Sequence, residues 1–487
     1  MAVLLSAAAP AQQVITANEL RSLPKIAEVD PNFQSFNVEM VEVTGGRFWA
    51  SYASKSGERY AQRPPINLRD TRLRLMVKAL APAYMRVSGT WANSTYIPTM
   101  DEKESSVPPA GFKQVLKRDQ WREVIRLAKD LDLQIVTSFP VSAGTRDGNG
   151  AWTPEQARRL LDMTKQMGGS MAAVEFANEP NLTKLGGLPE GYGAPDYARD
   201  FTIFRTFMDK AAPETIILGP GTSGEGGDIG AADIMRATER GVDAVSYHFY
   251  GALSQRCADF GNQTSSDLAL GEEWLSRTEK DHDYYATLRD QHEPDKPIWL
   301  TETAQAACGG SPWAVSFRDT FRYVDQLGRL ARKGVKVVAH NTLVASDYAL
   351  IDDVGLAPRP SFWAAMLWRR VMGKTVLERP NVTAPYLKLY VHCLRGSRKG
   401  VAVLAENLGS EVRTISLPGS ANIYVITAET LDAKTVMING REPKIAASGA
   451  LPRVTARRIS GSISLPRHSI SFLTMTDFTN PACALER

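Results

Sequence analysis

The sequence predicts an α/β protein, a (β/α)₈ TIM barrel with an additional C-terminal antiparallel β-sandwich, on three observations. Eight short β-rich runs recur between residues 33 and 375, and amphipathic helical runs lie between them. After Gly373 helical periodicity stops, and short β-branched or aromatic segments broken by Gly, Pro, Asn and Ser take over. The barrel strand candidates are 33–39 (FQSFNVE), 84–89 (YMRVSG), 133–140 (LQIVTSFP), 172–179 (AAVEFANE), 215–221 (TIILGPG), 244–250 (AVSYHFY), 297–303 (PIWLTET) and 335–343 (VKVVAHNTL). Most are near-continuous apolar runs without alternation, as strands buried on both faces of a parallel sheet read.

Between them, 154–167 sets Ala157, Leu160, Leu161 and Met163 on one side, with Thr153 as the expected cap. The run 318–333 does the same with Phe321, Val324, Leu327 and Leu330. A doubly wound open sheet is the competing pattern, but its Gly-rich phosphate turn is missing. Sandwich candidates are 386–392, 400–406, 423–427 and 469–474, and the stretch 13–20 is expected to add a strand to them. The predicted divisions are a leader over 1–12, an N-terminal segment over 13–32 that joins the sandwich, a catalytic barrel over 33–375 and the sandwich over 376–487.

The chain has 487 residues, 43% hydrophobic and 23% charged, an ordinary globular balance. No apolar run reaches the roughly 18 residues of a transmembrane helix. The net charge of +4 suits an anionic substrate but carries little weight, and gives nucleic-acid binding no further support. The opening MAVLLSAAAPAQQ reads as the tail of a secretory signal ending at Ala9-Pro10-Ala11, which predicts a secreted or periplasmic protein. Cys257, Cys308, Cys393 and Cys483 show no zinc-ligand spacing, so no metal and no cofactor are expected. Pairing Cys257 with Cys308 and Cys393 with Cys483 keeps each bridge inside one domain; buried free thiols are the alternative.

In such a barrel, active residues sit at the C-terminal strand ends. Those ends carry Glu39, Gly89-Thr90, Glu179, His248 and Tyr250, Glu302, and His340-Asn341. Glutamates at the fourth and seventh ends, Glu179 and Glu302, are placed to face each other across the barrel mouth. Glycosidic cleavage needs one protonated carboxyl for the leaving oxygen and one ionised carboxylate for the anomeric carbon. The run Phe176-Ala177-Asn178-Glu179-Pro180 is the most specific signal; it resembles the acid/base signature of the large clan of retaining barrel glycosidases, in which Asn178 would bond the sugar 2-hydroxyl.

A narrower resemblance rests on 82–90 (PAYMRVSGT), the Asn-Glu-Pro motif, 245–250 (VSYHFY), Trp299 to Thr303 followed by Gly309-Gly310, Ser346-Asp347-Tyr348, and Tyr390-Val391-His392-Cys393. In order and spacing the chain resembles glycoside hydrolase family 79, the heparanase and β-glucuronidase family, over nearly its whole length, and in particular its bacterial members. The resemblance implies Glu179 as proton donor and Glu302 as nucleophile, with His248 and Tyr250 lining the site. It implies Tyr348 and the Gly309 N–H as holders of a uronic-acid carboxylate, and Glu39 and Thr90 as contacts to sugar hydroxyls. Glu39 stands where the family commonly has Asp, and His340 stands where human-type heparanase has Gln. The short interval from Trp91 to Lys113 holds no long linker, so a single-chain enzyme needing no proteolytic activation is expected.

The predicted activity is a retaining endo-β-glucuronidase acting on heparan sulfate, an anionic polysaccharide, as a monomer. An exo-β-glucuronidase is the second enzyme reading, and a non-catalytic carbohydrate-binding protein is the reading from another class. Arg146, Lys184 and Arg256 are candidate sulfate contacts, with solvated surface charge as the plainer reading.

Overall fold

The computed structural model describes residues 12–54 and 57–485, so the leader expected over 1–12 lies, but for Gln12, outside the described residues. Eight parallel strands close into a barrel: β1 (Gln34–Glu39), β2 (Ala83–Ser88), β3 (Leu133–Ser138), β4 (Ala173–Glu175), β5 (Ile216–Ser223), β6 (Ala244–Tyr250), β7 (Ile298–Ala304) and β8 (Val337–His340). Each pairs with its neighbour in the chain, and β8 closes on β1 with Val338 opposite Gln34. A helix follows every strand: α1 (Thr71–Leu80), α2 (Arg118–Leu131), α3 (Glu155–Gln166), α4 (Ala194–Ala211), α5 (Ala231–Ala237), α6 (Arg277–His292), α7 (Phe317–Arg332) and α8 (Pro360–Val371).

Beyond shifts of one or two residues at strand ends, three boundaries differ from the sequence expectation. The fourth strand stops at Glu175, because the chain turns before Glu179, whose φ of 46° leaves the extended region. The eighth stops at His340 rather than running to residue 343. Thr153 does not cap α3; Pro154 occupies that position without a side-chain bond, and the Thr153 hydroxyl donates to the Thr145 carbonyl at 3.0 Å.

The C-terminal strands are β9 (Met372–Leu377), β10 (Leu387–Leu394), β11 (Val401–Asn407), β12 (Arg413–Thr427), β13 (Arg457–Leu465) and β14 (Ser469–Met475). The two halves of this β domain are joined by the 15-residue β12, which pairs with β13 over most of its length and with β14 toward its end. One apolar core collects Leu389, Val391, Val401 and Val403 from one half and Ile415, Leu417, Ile463 and Leu465 from the other. The N-terminal segment adds Gln12–Val14 beside β12 and Lys25–Glu28 beside β9. The expected strand over 13–20 is cut short, since Ala17–Ser22 is helical. Thr16 and Glu19 form a reciprocal capping box there, with bonds of 2.8 and 3.1 Å.

Alternation along β10 fixes how the β domain meets the barrel. Leu389, Val391 and Cys393 face the domain core, while Tyr390 and His392 face the barrel helices. The Tyr390 hydroxyl donates to Asp325 of α7 at 2.5 Å, and the His392 ring stands edge-on to Trp368 of α8. Gly328 lets α7 lie flat on the Tyr390 ring, because a Cβ there would be 2.4 Å from Tyr390 Cγ. Disulfides join Cys393 to Cys483 in this domain and Cys257 to Cys308 between the loops after β6 and β7. Overpacking typically costs about 1–3 kcal/mol. Gly328→Ala should therefore lower the thermal midpoint despite its better helix propensity; an unchanged or raised midpoint would show that the helix–sheet contact yields freely.

Candidate active site

The turn after β4 is held rigidly. The Asn93 amide brackets the Asn178 backbone, accepting from its N–H at 2.9 Å and donating to its carbonyl at 2.8 Å. The next N–H, that of Glu179, donates to the Gly221 carbonyl at 3.1 Å. Glu302 instead stands within β7, opposite His248 of β6. Carboxylate oxygens of Glu179 and Glu302 and a ring nitrogen of His248 all lie within 4.8 Å of one another.

Beneath them, Arg86 projects from β2 into the barrel, 2% exposed. Its guanidinium donates to Glu302 Oε2 at 2.8 Å, to Glu175 Oε2 at 2.7 and 2.9 Å, and to Asn178 Oδ1 at 2.8 Å. The second Glu175 oxygen accepts from Thr301 and Ser246 at 2.8 and 3.1 Å. Arg86 Nη2 also faces His248 Nε2 at 3.2 Å. A guanidinium only donates, so Nε2 meets it with a lone pair and the ring proton sits on Nδ1. That proton points at Glu179 Oε1, 3.1 Å away.

The Tyr250 hydroxyl donates to Glu302 Oε1 at 2.6 Å, and Asn341 Nδ2 lies 3.0 Å from that hydroxyl, 3.2 Å from the Tyr348 hydroxyl and 3.1 Å from Glu39 Oε1. Burial works against ionising Glu302, but the Arg86 guanidinium and the Tyr250 hydroxyl, both bonded to its carboxylate, act the other way, and the carboxyl lies below the ordinary glutamate value. Glu39 is pushed the other way, first by burial and then by the charge of Glu302. The two carboxyls therefore prefer opposite protonation states.

Tyr250, Tyr348, Glu39 and Thr90 line a cleft of about 390 Å³ together with Glu179 and Glu302. A hairpin, Gly46–Trp49 with Tyr60–Arg63, supplies one wall, where Trp49 stacks on Tyr60 and stands edge-on to Trp91. Gly89 is required beside Glu39, since a Cβ there would fall 1.6 Å from Glu39 Oε2. Asn178 keeps its Nδ2 donor unpartnered, because Arg86 has taken its oxygen. Gly309 is buried with φ of 82°, wedged so closely against Trp49 and Ser346 that a Cβ would clash with both.

His340 corrects the sequence expectation of a substrate contact. It is 1% exposed, lies edge-on to Tyr323 and bonds the Tyr348 carbonyl at 2.8 Å, so it braces Tyr348 from behind. Burial lowers its pKa to about 3, which keeps it neutral. Arg146 and Arg256 are likewise engaged, in ion pairs with Asp200 and Asp347, while Lys184 is exposed beside Asp228 at 3.6 Å. Sequence reasoning gave no role to Arg86, Glu175 or Asn93. Arg86 had a visible signal, a charge in the middle of an apolar strand, which demands a buried partner.

Glu179, His248 and Glu302 have spacing that a metal ion would accept. The donor set does not fit one, because Arg86 sits 2.8 Å from Glu302 and 3.2 Å from His248 and a cation would meet that like charge.

No family model matches the chain. Heparanase-like protein 1 of Arabidopsis thaliana is 26% identical over 69% of this chain and 68% of that protein. Heparanase of Bos taurus is 25% identical over 93% of this chain and 90% of its own, and hyaluronoglucuronidase of Hirudo nipponia is 24% identical over 86% and 92%. Among solved structures, the family 51 arabinofuranosidase of Xanthomonas axonopodis pv. citri superposes with a TM-score of 0.63 at 16% identity, covering 92% of this chain and 97% of that one. A 4-O-α-L-rhamnosyl-β-D-glucuronidase of Fusarium oxysporum superposes at 0.65 with 12% identity, covering 95% of this chain and 100% of that one. Fold and relatives define the chain as a glycoside hydrolase. Within that class it is heparanase-like, resembling the enzymes of family 79 along most of its length.

Removing one partner of a buried ion pair typically costs about 3–5 kcal/mol. Arg86→Met should lower stability to denaturant by that order at neutral pH, and the loss should shrink on acidification as Glu302 takes up its proton. A loss that does not change with pH would rule out this charge pairing as its origin.

Proposed function

We propose that the protein is a retaining endo-β-glucuronidase that cleaves glucuronic-acid linkages in a glycosaminoglycan, with Glu302 as nucleophile and Glu179 as acid and then base. The approach of the two carboxyls, within 4.8 Å at their nearest oxygens, carries this reading. Retention needs carboxyl groups about 5–5.5 Å apart, whereas inversion needs about 6.5–9.5 Å so that water fits between. Glu302, held ionised by Arg86 and Tyr250, attacks the anomeric carbon while Glu179 protonates the departing oxygen. Water, deprotonated by Glu179, then releases the sugar from Glu302. His248 Nδ1–H steadies Glu179 in both steps, and the free Asn178 Nδ2 is a donor for the sugar 2-hydroxyl.

The uronic-acid preference is supported by the heparanase and hyaluronoglucuronidase relatives and by Tyr348 in the lining of the cleft. Cleavage within a chain, rather than from its end, is supported by two hollows that continue the cleft. One shares Lys113 and adds Arg63 and Lys117; the other shares Ser223, Tyr250, Leu253 and Ala307. We infer export to an oxidising compartment from the two disulfides. We also propose that it acts as a monomer. Among the described residues, no helix is long and apolar enough to cross a membrane.

Glu179→Gln and Glu302→Gln should each lower kcat/KM by about 10²–10⁴-fold or more with the fold intact. Proton NMR of the first products should show the β-anomer at the new reducing end; the α-anomer first would refute retention. Activity should fall as pH drops through the Glu302 pKa, which lies below the usual glutamate value. Tyr250→Phe removes a hydrogen bond that favours the carboxylate, so the acid limb of its pH profile should move to higher pH.

A further inference from the structure

Beyond Tyr250 the cleft continues into a side hollow of about 270 Å³, lined by Ser223, Gly224, Leu253, Asn262 and Asp281 among others. It has room for one sugar ring. Asp281 reaches it from α6, and its Oδ2 is buried without a hydrogen-bond partner. His248 is the one basic residue in the hollow's lining among the described residues, and both its ring nitrogens are engaged, with Arg86 and with Glu179; Glu225 is near enough to repel Asp281. Burial first, and Glu225 second, raise the Asp281 pKa to about 7. Asn262, across the hollow, brings an amide rather than a charge.

The cations nearby do not offset this. Arg256 is tied to Asp347 and to the Cys308 and Gly310 carbonyls, and Arg59 pairs with Asp259 at 3.3 Å. Lys113, which also lines the cleft, belongs with the other hollow, beside Arg63 and Lys117. A sulfate group offers only acceptors and negative charge. Above about pH 7, where Asp281 is ionised, a sulfate in this hollow would leave the orphan oxygen unmet and meet two like charges. A sugar hydroxyl or amide N–H would satisfy the same oxygen. A site built to receive a donor discriminates strongly against a group that lacks one.

We propose that this hollow is a subsite for an unsulfated sugar unit beside the scissile glucuronide, with Asp281 accepting from its hydroxyl or amide N–H, so that the enzyme selects uronic-acid polymers of low sulfation. The inference rests on the glucuronidase reading. Its test is reducing-end release from heparosan, the unsulfated backbone, against heparan sulfate, for the intact protein, Asp281→Asn and Glu225→Gln. The expected kcat/KM ratio favours heparosan by about tenfold or more, a ratio within reach of one well-placed polar contact. Both substitutions should reduce that ratio, and Glu225→Gln, at an exposed position, keeps the test open if Asp281→Asn folds poorly. Cleavage of both polymers with heparan sulfate preferred, or a ratio unmoved by either substitution, overturns this inference alone. No cleavage of either polymer, nor of hyaluronan assayed beside them, overturns the glucuronidase reading and this inference together.

Discussion

A single buried guanidinium sets the geometry of the site. Arg86 lies inside the barrel, where an uncompensated charge is untenable, so its donors must all find acceptors. They find them on β4, on the turn after it and on β7, and Nη2 faces the β6 histidine ring. One side chain thus draws four elements to a common centre. It also gives each neighbour a state: Glu302 is favoured as a carboxylate, the Asn178 amide has its oxygen turned inward, and His248 carries its proton on the side of Glu179. Glu175 completes the arrangement as a counter-charge that never reaches the cleft, 1% exposed and saturated by Arg86, Thr301 and Ser246.

The rim is built on different physics. Glu42 is fully buried, its pKa raised to about 7, and accepts from the backbone N–H groups of Glu39 and Ala345, tying the end of β1 to the loop after β8. Asp347 does comparable work one turn on, receiving Ser51, the Tyr52 N–H and Arg256. The Cys257–Cys308 bridge fastens the neighbouring loops, and both cysteines line the cleft they stabilise. The floor is therefore fixed by charge pairing inside strands, and the rim by cross-links between loops.

The sequence revealed those features that depend on local pattern. Eight apolar runs spaced by amphipathic helices gave the barrel, because burial on both faces leaves a continuous hydrophobic signature. The strand-end rule then picked out Glu179, Glu302, Tyr250 and His248. It failed for His340 because a strand end has two sides. Four residues of chain cannot show whether a ring faces the mouth or, as here, packs under Tyr348 against Tyr323. For Arg146 and Arg256 the sequence offers sulfate contact or solvated charge, because an arginine in a loop looks the same whether solvated or paired with Asp200 or Asp347.

Covalent order alone indicated the class of fold and singled out the two glutamates that meet at the barrel mouth. Only the folded chain decided their separation, the network through Arg86 and the Asp281 hollow. The reason is sequence distance: Arg86 meets Glu175 across 89 positions and Glu302 across 216. Whether such charges become partners depends on barrel closure and on where low dielectric leaves them no solvent alternative.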